Sequence, residues 1–137
     1  MRKKTILVVD DEPDQREIYR AVLRHAGYVV LEAANAIEGI RLAVEAAPDL
    51  ILLDMALPMM DGWEAARVLK QNPATSYIPV CAISARVLPP EDAARITAAG
   101  FECYLLKPIE PRLVLNEVAS RIGLPAEANL NIAGGTG

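Results

Sequence analysis

The stretch Leu50-Ile51-Leu52-Leu53-Asp54 gives the clearest indication of the fold, because four consecutive apolar residues end at a carboxylate. Such an unbroken apolar run is typical of a strand covered on both faces, which predicts the central strand of a parallel sheet. Four further short runs rich in aliphatic residues lie at intervals along the chain, at residues 5–9, 29–31, 79–83 and 103–106. Longer stretches of helical period separate them, so the chain alternates between predicted strands and predicted helices.

Helix signals follow each predicted strand. Pro13 suits the first position of a helix and Gly27 its left-handed end, so these residues bound the first helix. The second helix begins after Asn35, a good N-cap residue, and ends near Ala46. Apolar residues at three- or four-residue spacing are expected to turn toward the sheet, namely Ile18, Val22, Leu23 and Ala26 in the first helix and Ile37, Ile40 and Val44 in the second.

Three more helices complete the pattern. Their predicted boundaries are Asp61-Gly62 and Gln71 for the third, Pro89-Pro90 and Gly100 for the alanine-rich fourth, and Pro111 and Gly123 for the fifth. Residues 124–137 have no periodicity and end in glycines, which predicts a mobile tail or a truncated linker. We therefore expect one domain over residues 1–123 and a tail over 124–137.

Composition narrows the functional class. The chain has 137 residues, of which 53% are apolar, enough for one compact domain with its own core. A net charge of −4 without a basic stripe argues against direct binding of nucleic acid. The first apolar run, which stops at Asp10, is too short for a signal peptide or a membrane span, so we expect a cytoplasmic protein. Cys81 and Cys103 have neither metal-site nor disulfide spacing and are interpreted as buried small apolar residues.

Polar side chains follow four of the five predicted strands. Asp10-Asp11 comes after the first strand, Asp54 after the third, Ser84 after the fourth and Lys107 after the fifth, whereas alanines follow the second. Because right-handed crossovers make the strands parallel, these residues should lie at one edge of the sheet. The second strand is then an outer edge, as in a doubly wound, flavodoxin-like α/β sheet of order 2-1-3-4-5. The polar residues converge on the cleft that this order creates.

The chemistry of these residues predicts phosphoryl transfer. Asp10, Asp11 and Asp54 would repel one another unless a cation lay among them, and oxygen ligands without His or Cys suit Mg²⁺. Lys107 can reach a phosphoryl oxygen, and Ser84 offers a hydroxyl. Asp54, alone at the end of the central strand, is the best nucleophile. Each residue alone is more often a turn or cap residue, and only their joint placement favours a functional site.

Four segments together resemble the receiver domain of two-component response regulators. They are Val8-Val9-Asp10-Asp11-Glu12, Asp54-Met55-Ala56-Leu57-Pro58-Met59-Met60-Asp61-Gly62, Ile83-Ser84-Ala85 and Lys107-Pro108. The segments occur in the family's order and spacing, and the similarity covers residues 4–122. The resemblance implies a phosphoacceptor of a two-component or phosphorelay system, similar to the single-domain chemotaxis response regulators.

The resemblance also implies a role for each carboxylate. Asp54 would accept a phosphoryl group from a histidine kinase or a histidine phosphotransfer protein. Asp11, Asp54 and the carbonyl of Ala56 would bind Mg²⁺ directly, and Asp10 would act largely through metal-bound water. The domain would assist its own phosphorylation and dephosphorylation rather than act as an enzyme on another substrate.

Five residues match the phosphoryl-binding and switch positions of the family: Ser84, Ala85, Tyr104, Lys107 and Pro108. The resemblance implies that the Ser84 hydroxyl moves toward the phosphoryl group while the Tyr104 ring turns inward behind it. Lys107 would bind a phosphoryl oxygen, and its peptide bond to Pro108 is expected to be cis. Because the added dianion creates acceptors that only a rearranged loop can satisfy, phosphorylation would bias a two-state element.

The surface formed by helix four, strand five and helix five is expected to report the change to a downstream protein. Several small residues of helix four lie in this region, and the alternative interpretation is that they pack closely on the sheet. They are Ala93, Ala94, Ala98 and Ala99.

Three positions are compared with the family pattern, Ser84 for the switch and Ala56 and Arg86 for the lifetime of the phosphoryl group. Ser84 stands where Thr is commoner, which keeps the hydroxyl. Ala56 and Arg86 occupy the positions that place or exclude the attacking water in this family. Ala56 has no side chain to orient that water, and Arg86 can shield or pair with the phosphoryl group, so we expect slow autodephosphorylation.

Other interpretations remain open. A phosphohydrolase of the haloacid-dehalogenase kind also uses an aspartyl nucleophile, but it needs an acid two residues later, where this chain has Ala56. The chain could instead be a receiver-like interaction module that works without phosphorylation. It could also be the receiver fragment of a hybrid kinase or of a DNA-binding regulator, although Met1 directly before the first strand slightly favours a freestanding protein.

Overall fold

The computed structural model describes residues 3–125, which form a five-stranded parallel sheet of order β2-β1-β3-β4-β5 flanked by helices. The strands are β1 (Thr5–Val9), β2 (Val29–Ala33), β3 (Leu50–Asp54), β4 (Val80–Ser84) and β5 (Phe101–Leu106). The helices are α1 (Pro13–Ala26), α2 (Ala36–Ala46), α3 (Gly62–Gln71), α4 (Ala93–Ala98) and α5 (Pro111–Ile122), and a 3₁₀ turn (Pro90–Asp92) precedes α4. The predicted fold class and strand order are confirmed.

Two apolar cores sandwich the sheet, and β3 contributes to both. All five residues of β3 are buried. Ile51 and Leu53 pack on the face covered by α2 and α3, whereas Leu50 and Leu52 pack on the face covered by α1 and α5. The unbroken apolar run in the sequence therefore reflects a central strand with helices on both sides.

The predicted ends of four helices are observed, whereas α4 begins at Ala93, after the 3₁₀ turn, and ends at Ala98 instead of running from Pro90 to Gly100. Gly27 has a φ of 114°, a left-handed conformation that glycine adopts without strain, and its N–H bonds to the end of α1. The Asn35 side chain accepts a hydrogen bond from the N–H of Glu38 at 2.8 Å at the start of α2. Asp61 does the same for Glu64 at 3.0 Å at the start of α3. These local signals set where each helix begins or ends.

The predicted inner face of α2 was wrong. Ile37 is 59% exposed and Val44 is 44% exposed, and only Ile40 of the predicted set packs against the core. The buried positions are Ala36, Gly39 and Ala43. A Cβ added at Gly39 would lie 2.8 Å from Cγ2 of Val9, so α2 approaches the sheet closely enough to admit only small residues. The larger aliphatic side chains consequently face outward.

The predicted inner face of α1 is observed only in part: Leu23 is buried and Ala26 packs against the core as predicted, whereas Ile18 and Val22 lie outside the buried line. Ile18 is 46% exposed, and Val22 and Ala26 are only partly buried. Tyr19 and Leu23, four residues apart, are the buried pair and pack with the α1 and α5 core. Two adjacent lines of apolar residues run along this helix, and the line with the tyrosine ring is the one that faces the sheet.

Helix α4 buries little of its surface. Ile96 is its buried residue, whereas Ala93, Ala94 and Ala98 are exposed. Close packing on the sheet therefore does not account for these three alanines.

Strand β5 contains an irregularity that the sequence pattern does not predict. Val80 pairs with Phe101, but the next residue of β4, Cys81, pairs with Cys103, so Glu102 is an extra residue in β5. Because of this bulge, Phe101 joins the core on the α2 and α3 face while Cys103 packs on the opposite face. The strand also begins two residues earlier than predicted.

The predicted tail falls largely on residues 126–137, which lie outside the described residues. Within residues 3–125, every helix is too short or too polar to cross a bilayer.

Candidate functional site

The carboxyl edge of the sheet gathers the polar residues that the sequence predicted. Asp54 is the last residue of β3 and Ser84 the last of β4, while Asp10 directly follows β1 and Lys107 directly follows β5. The N–H of Asp10 donates to the carbonyl of Ala33 at 3.1 Å, which fixes the start of this edge against β2. The parallel order places all of these side chains around one cleft.

Three carboxylates converge there. Oxygens of Asp10, Asp11 and Asp54 all lie within 4.8 Å of one another, and the first and third residues are buried while Asp11 is exposed. Oδ1 of Asp10 accepts the N–H of Glu12 at 2.9 Å, and Oδ1 of Asp54 accepts the N–H of Ala56 at 3.0 Å. Each buried carboxylate is thus held by the backbone two residues further along, in the manner of an Asx turn.

Lys107 supplies the positive charge among them. Its Nζ lies 2.9 Å from Oδ2 of Asp54 and 3.3 Å from Oδ2 of Asp10. Burial acts to lower the pKa of Lys107, but the hydrogen bond and charge of Asp54, together with Asp10, outweigh burial and raise it. The peptide bond between Lys107 and Pro108 is cis, as expected. The lysine is therefore a fixed cation at neutral pH.

Asp10 carries a buried oxygen that lacks a full complement of partners. Burial raises the pKa of Asp10, the charge of Asp54 raises it further, and the Glu12 N–H and Lys107 oppose the shift. Its Oδ2 makes the 3.3 Å ion pair with Lys107 but no aligned hydrogen bond to the described residues. An oxygen-only donor set with an undersatisfied buried carboxylate fits a Mg²⁺ ion. Asp10, Asp11 and Asp54 are the residues that could hold it.

Arg86 links the two predicted switch residues. Its N–H donates to Oγ of Ser84 at 3.0 Å, and its carbonyl accepts a hydrogen bond from the Tyr104 hydroxyl. Ser84 is buried, whereas the side chains of Ala85 and Arg86 are exposed. Ser84 and Tyr104, the two predicted switch residues, are therefore both hydrogen-bonded to the backbone of Arg86.

The loop between β3 and α3 is shaped by close packing at Gly62. A Cβ at this position would lie 2.7 Å from Cα of Met55 and 2.6 Å from its Sδ, so only glycine fits. The N–H of Gly62 also donates to the carbonyl of Met55 at 3.1 Å. Met59 adopts a φ of 67° and is 83% exposed at the tip of the loop. This tight turn keeps exposed Ala56 beside the Asp54 carboxylate.

A cleft of about 300 Å³ opens next to the carboxylates, between the loop after β3 and the loop after β4. Ala56, Ser84 and Arg86 line it on the side of the acidic cluster, and Trp63 and Arg95 line it on the far side. The Arg95 guanidinium lies 3.8 Å from the centroid of the Trp63 ring. The predicted switch residues Ser84 and Tyr104 both line this cleft.

Two residues near the site were not predicted from the sequence. Arg16 donates from Nη1 to the carbonyl of Asp10 at 2.7 Å and pairs with Glu32, which anchors the backbone at the acidic cluster. Tyr19 has a buried hydroxyl without a partner among the described residues, and burial raises its pKa to about 12. The four-residue spacing of Tyr19 and Leu23 is a signal for the tyrosine, whereas no pattern indicated Arg16.

Comparisons with known proteins agree with this geometry. A family model described as the response regulator receiver domain matches residues 6–119. The polar-differentiation response regulator DivK of Brucella anthropi is 32% identical over 120 residues, which cover 88% of this chain and 97% of the relative.

Two solved structures are also similar. The chemotaxis protein CheY4 of Vibrio cholerae superposes with a TM-score of 0.82 at 27% identity, covering 88% of this chain and 99% of that one. The receiver domain of a sensor histidine kinase from Pseudomonas aeruginosa, solved with magnesium coordinated in its active site cleft, gives a TM-score of 0.79 at 30% identity, covering 88% and 98%. Because the family model spans most of the chain and the fold agrees with that of solved relatives, the chain belongs to the receiver domain family of two-component response regulators.

Proposed function

We propose that Asp54 is the phosphoacceptor of this receiver domain and takes the phosphoryl group from a histidine kinase or a histidine phosphotransfer protein. Receiver domains act in signalling with such kinases and with downstream effectors. The position of the Asp54 carboxylate carries the proposal, since Oδ2 lies 2.9 Å from the Lys107 ammonium and within the same cluster as Asp10 and Asp11. A nucleophile at that position meets a fixed cation for the transferred oxygens.

In the transfer step, an oxygen of Asp54 forms a bond to phosphorus while the bond from phosphorus to the imidazole nitrogen of the donor breaks. The electron pair of that bond stays on the nitrogen, and because the second ring nitrogen of the donor already carries a proton, the imidazole leaves as a neutral ring. Lys107 then pairs with a phosphoryl oxygen in place of the carboxylate that it binds in the unphosphorylated protein. The chain supplies position and charge rather than a general acid or base, so the domain assists its own phosphorylation and dephosphorylation.

The same cluster is proposed to hold Mg²⁺. Asp11, Asp54 and the carbonyl of Ala56 would bind the ion directly, and Asp10 would act largely through a metal-bound water. An ion held there would neutralise negative charge on the attacking and transferred oxygens. The undersatisfied Oδ2 of Asp10 and the oxygen-only donor set support this assignment.

The switch is proposed to work through the backbone of Arg86. Ser84 Oγ now accepts the Arg86 N–H, and a phosphoryl oxygen would be a stronger, charged acceptor for the Ser84 hydroxyl. If Ser84 turns toward that oxygen, the loop that begins at Ala85 loses one of its anchors. The Tyr104 hydroxyl, bound to the Arg86 carbonyl, would then shift with the loop. Pro108 follows Lys107 and completes the phosphoryl-binding set.

The surface of α4, β5 and α5 is proposed to contact the downstream protein. Tyr104 and Leu106 lie on β5, and Leu106 is 42% exposed beside the loop that the switch would move. A change at Arg86 therefore reaches this surface over a short distance.

We also propose a cytoplasmic location, a domain over residues 1–123, and slow hydrolysis of the phosphoryl group because exposed Ala56 provides no group to orient water.

The test is the intact mass of the protein after incubation with acetyl phosphate, with and without Mg²⁺. We expect one phosphoryl group that requires both the metal and Asp54. Asp54→Ala removes the proposed acceptor, and Glu45→Gln is the matched control because Glu45 is an exposed carboxylate on α2, paired with Arg41 and remote from the cleft. Both variants should be compared by circular dichroism to establish that they fold.

An adduct on the parent and on Glu45→Gln but not on Asp54→Ala supports the proposal. An adduct that persists in Asp54→Ala contradicts the assignment of Asp54. If neither acetyl phosphate nor a beryllium fluoride complex binds to the parent, the alternative function is favoured, which is an interaction module that works without phosphorylation.

A further inference from the structure

A second group of chemically reactive side chains lies away from the acidic cleft, on the face of the sheet covered by α1 and α5. Cys81 in β4 is the register partner of Cys103 in β5, and both are free thiols. Both side chains lie on the same face of the sheet, in the core that α1 and α5 cover. Neighbouring strands lie about 4.8 Å apart, which falls within the Cα separation of about 4.4–6.8 Å found for disulfides. A bond between the two sulfurs is therefore possible without unfolding the sheet.

The β-bulge in β5 creates this pair. Val80 pairs with Phe101, and Glu102 is the extra residue before the pairing of Cys81 with Cys103. With unbroken register, Cys81 would face Glu102, and Cys103 would point to the other face of the sheet together with Phe101. The bulge moves Cys103 onto the face of Cys81, so an irregular feature of the strand brings the two thiols together.

The two thiols have different surroundings. Cys81 is 1% exposed, and its pKa is raised, first by its hydrogen bond with Cys103 and then by burial. Cys103 is only partly buried, and its pKa is lowered, chiefly because the Cys81 thiol donates a hydrogen bond to it. From α5, Arg121 lowers the pKa of Cys103 further, whereas burial and Glu117 oppose the shift. Cys103 is thus the more accessible and more readily ionised member of the pair.

We propose that Cys81 and Cys103 form a reversible oxidation site, in which Cys103 reacts first with a hydroperoxide and Cys81 then closes a disulfide. The Cys103 thiolate attacks the terminal oxygen of the hydroperoxide, the O–O bond breaks, and the alcohol or water leaves after taking up a proton. The sulfur of Cys81 next attacks the sulfur of the sulfenic acid, the S–O bond breaks, and water leaves with the Cys81 proton. In total the two thiols lose two protons and two electrons, and the hydroperoxide takes up both to give the alcohol (or water) and one water.

The disulfide should be easily reduced. The two Cβ atoms of a disulfide lie about 3.8 Å apart, closer than the usual spacing of about 4.8 Å between strands, so the bond draws β4 and β5 together. A strained bond of this kind is the labile type. Cys81 lies three residues before Ser84, and Cys103 is adjacent to Tyr104, so the site lies on the two strands that carry the proposed switch residues.

The first experiment exposes the full chain to hydrogen peroxide at neutral pH, removes the oxidant, and counts thiols that react with iodoacetamide after denaturation. We expect a loss of two hydrogens in intact mass, no alkylated cysteine, and a peptide that joins Cys81 to Cys103. Dithiothreitol should restore both alkylation sites. The yield should be independent of protein concentration, because the bond is intramolecular. Two reactive thiols after oxidation, or cross-links only between chains, would overturn the proposal.

A second experiment tests the order of reaction with dimedone, which captures sulfenic acids. Cys81→Ala should leave a sulfenic acid on Cys103 that dimedone traps, whereas Cys103→Ala should leave Cys81 largely unmodified. The opposite pattern contradicts the assigned roles. Circular dichroism establishes folding of both variants, and the parent experiment stands if either fails to fold. Asp54→Ala should form the disulfide to the same extent as the parent, so this test is independent of the proposed phosphoacceptor.

Discussion

Nζ of Lys107 lies 2.9 Å from Oδ2 of Asp54 and so connects the end of β5 to the end of β3 across the intervening strand β4. The same ammonium lies 3.3 Å from Asp10, so one cation neutralises part of the charge of two buried carboxylates. The Lys107 ammonium therefore already lies where it could pair with a phosphoryl group on Asp54. The arrangement also makes the lysine the residue whose removal changes the electrostatics of the site most directly.

Lys107→Ala should slow the reaction with acetyl phosphate by at least about 10-fold, because a preorganised cation for the transferred oxygens is lost. The rate is measured by intact mass against time at saturating Mg²⁺. Lys70→Ala is the matched control, since that ammonium binds the carbonyls of Ser76 and Ile78 instead of the acidic cluster. Lys70→Ala should react at the rate of the parent. Equal rates for the parent and Lys107→Ala would remove the lysine from the proposed mechanism.

Asp10→Asn should make the metal-free protein more stable at neutral pH, by on the order of 1 kcal/mol or about 4 °C in melting temperature. The pKa of Asp10 is raised in the folded state, chiefly by burial, above an unfolded value of about 3.9. Between these two pKa values the folded state binds more protons, so the stability of the parent falls as pH rises through this window. Asparagine cannot ionise and avoids that loss.

Thermal unfolding in the presence of a chelator, from pH 3.5 to 8, measures this difference. The advantage of Asp10→Asn should shrink toward zero below about pH 4, where the unfolded carboxyl is also protonated. Adding Mg²⁺ should raise the melting temperature of the parent more than that of the variant. A variant that is less stable than the parent at every pH would contradict the cost assigned to the buried charge.

Ala56→Asn should hydrolyse the phosphoryl group several-fold faster than the parent, because a polar side chain at this exposed position can orient the attacking water. Loss of the phosphoryl group is followed by intact mass after removal of acetyl phosphate. Ala56→Val is the control, since it fills the same space without a polar group. The proposed role of this position is wrong if Ala56→Asn loses the group no faster than the parent.

Gly62→Ala should destabilise the domain by about 2 kcal/mol or more, since an added Cβ meets backbone rather than a flexible side chain. The new carbon would lie 2.7 Å from Cα of Met55 and 3.0 Å from the carbonyl oxygen of Asp54. Urea unfolding measures the loss. Arg67→Gly, at an exposed position of the same helix, is the comparison and should cost only about 1 kcal/mol through helix propensity. Equal losses would show that the loop relaxes around the added methyl group.

Short segments of the sequence were sufficient to predict the fold class, the strand order and the edge of the sheet at which the site lies. Residues 50–53 form an unbroken apolar run because both faces of β3 are covered, and Asn35 and Asp61 cap their helices through hydrogen bonds within three residues. Because right-handed crossovers make the strands parallel, Asp54 and Lys107, at the ends of their strands, are predicted to lie at the same edge of the sheet. Such features are encoded locally or by the order of elements, so one sequence is sufficient to predict them.

Other features depended on distances between elements that are far apart in the chain. Ile37 lies outward because α2 approaches Val9 too closely for a large side chain, and no pattern within the helix reports that distance. Cys81 and Cys103 are 22 residues apart and meet only because the bulge at Glu102 shifts the register of β5. A hydrophobic pattern states which residues prefer burial, whereas packing and register decide which of them share a face and what each contacts.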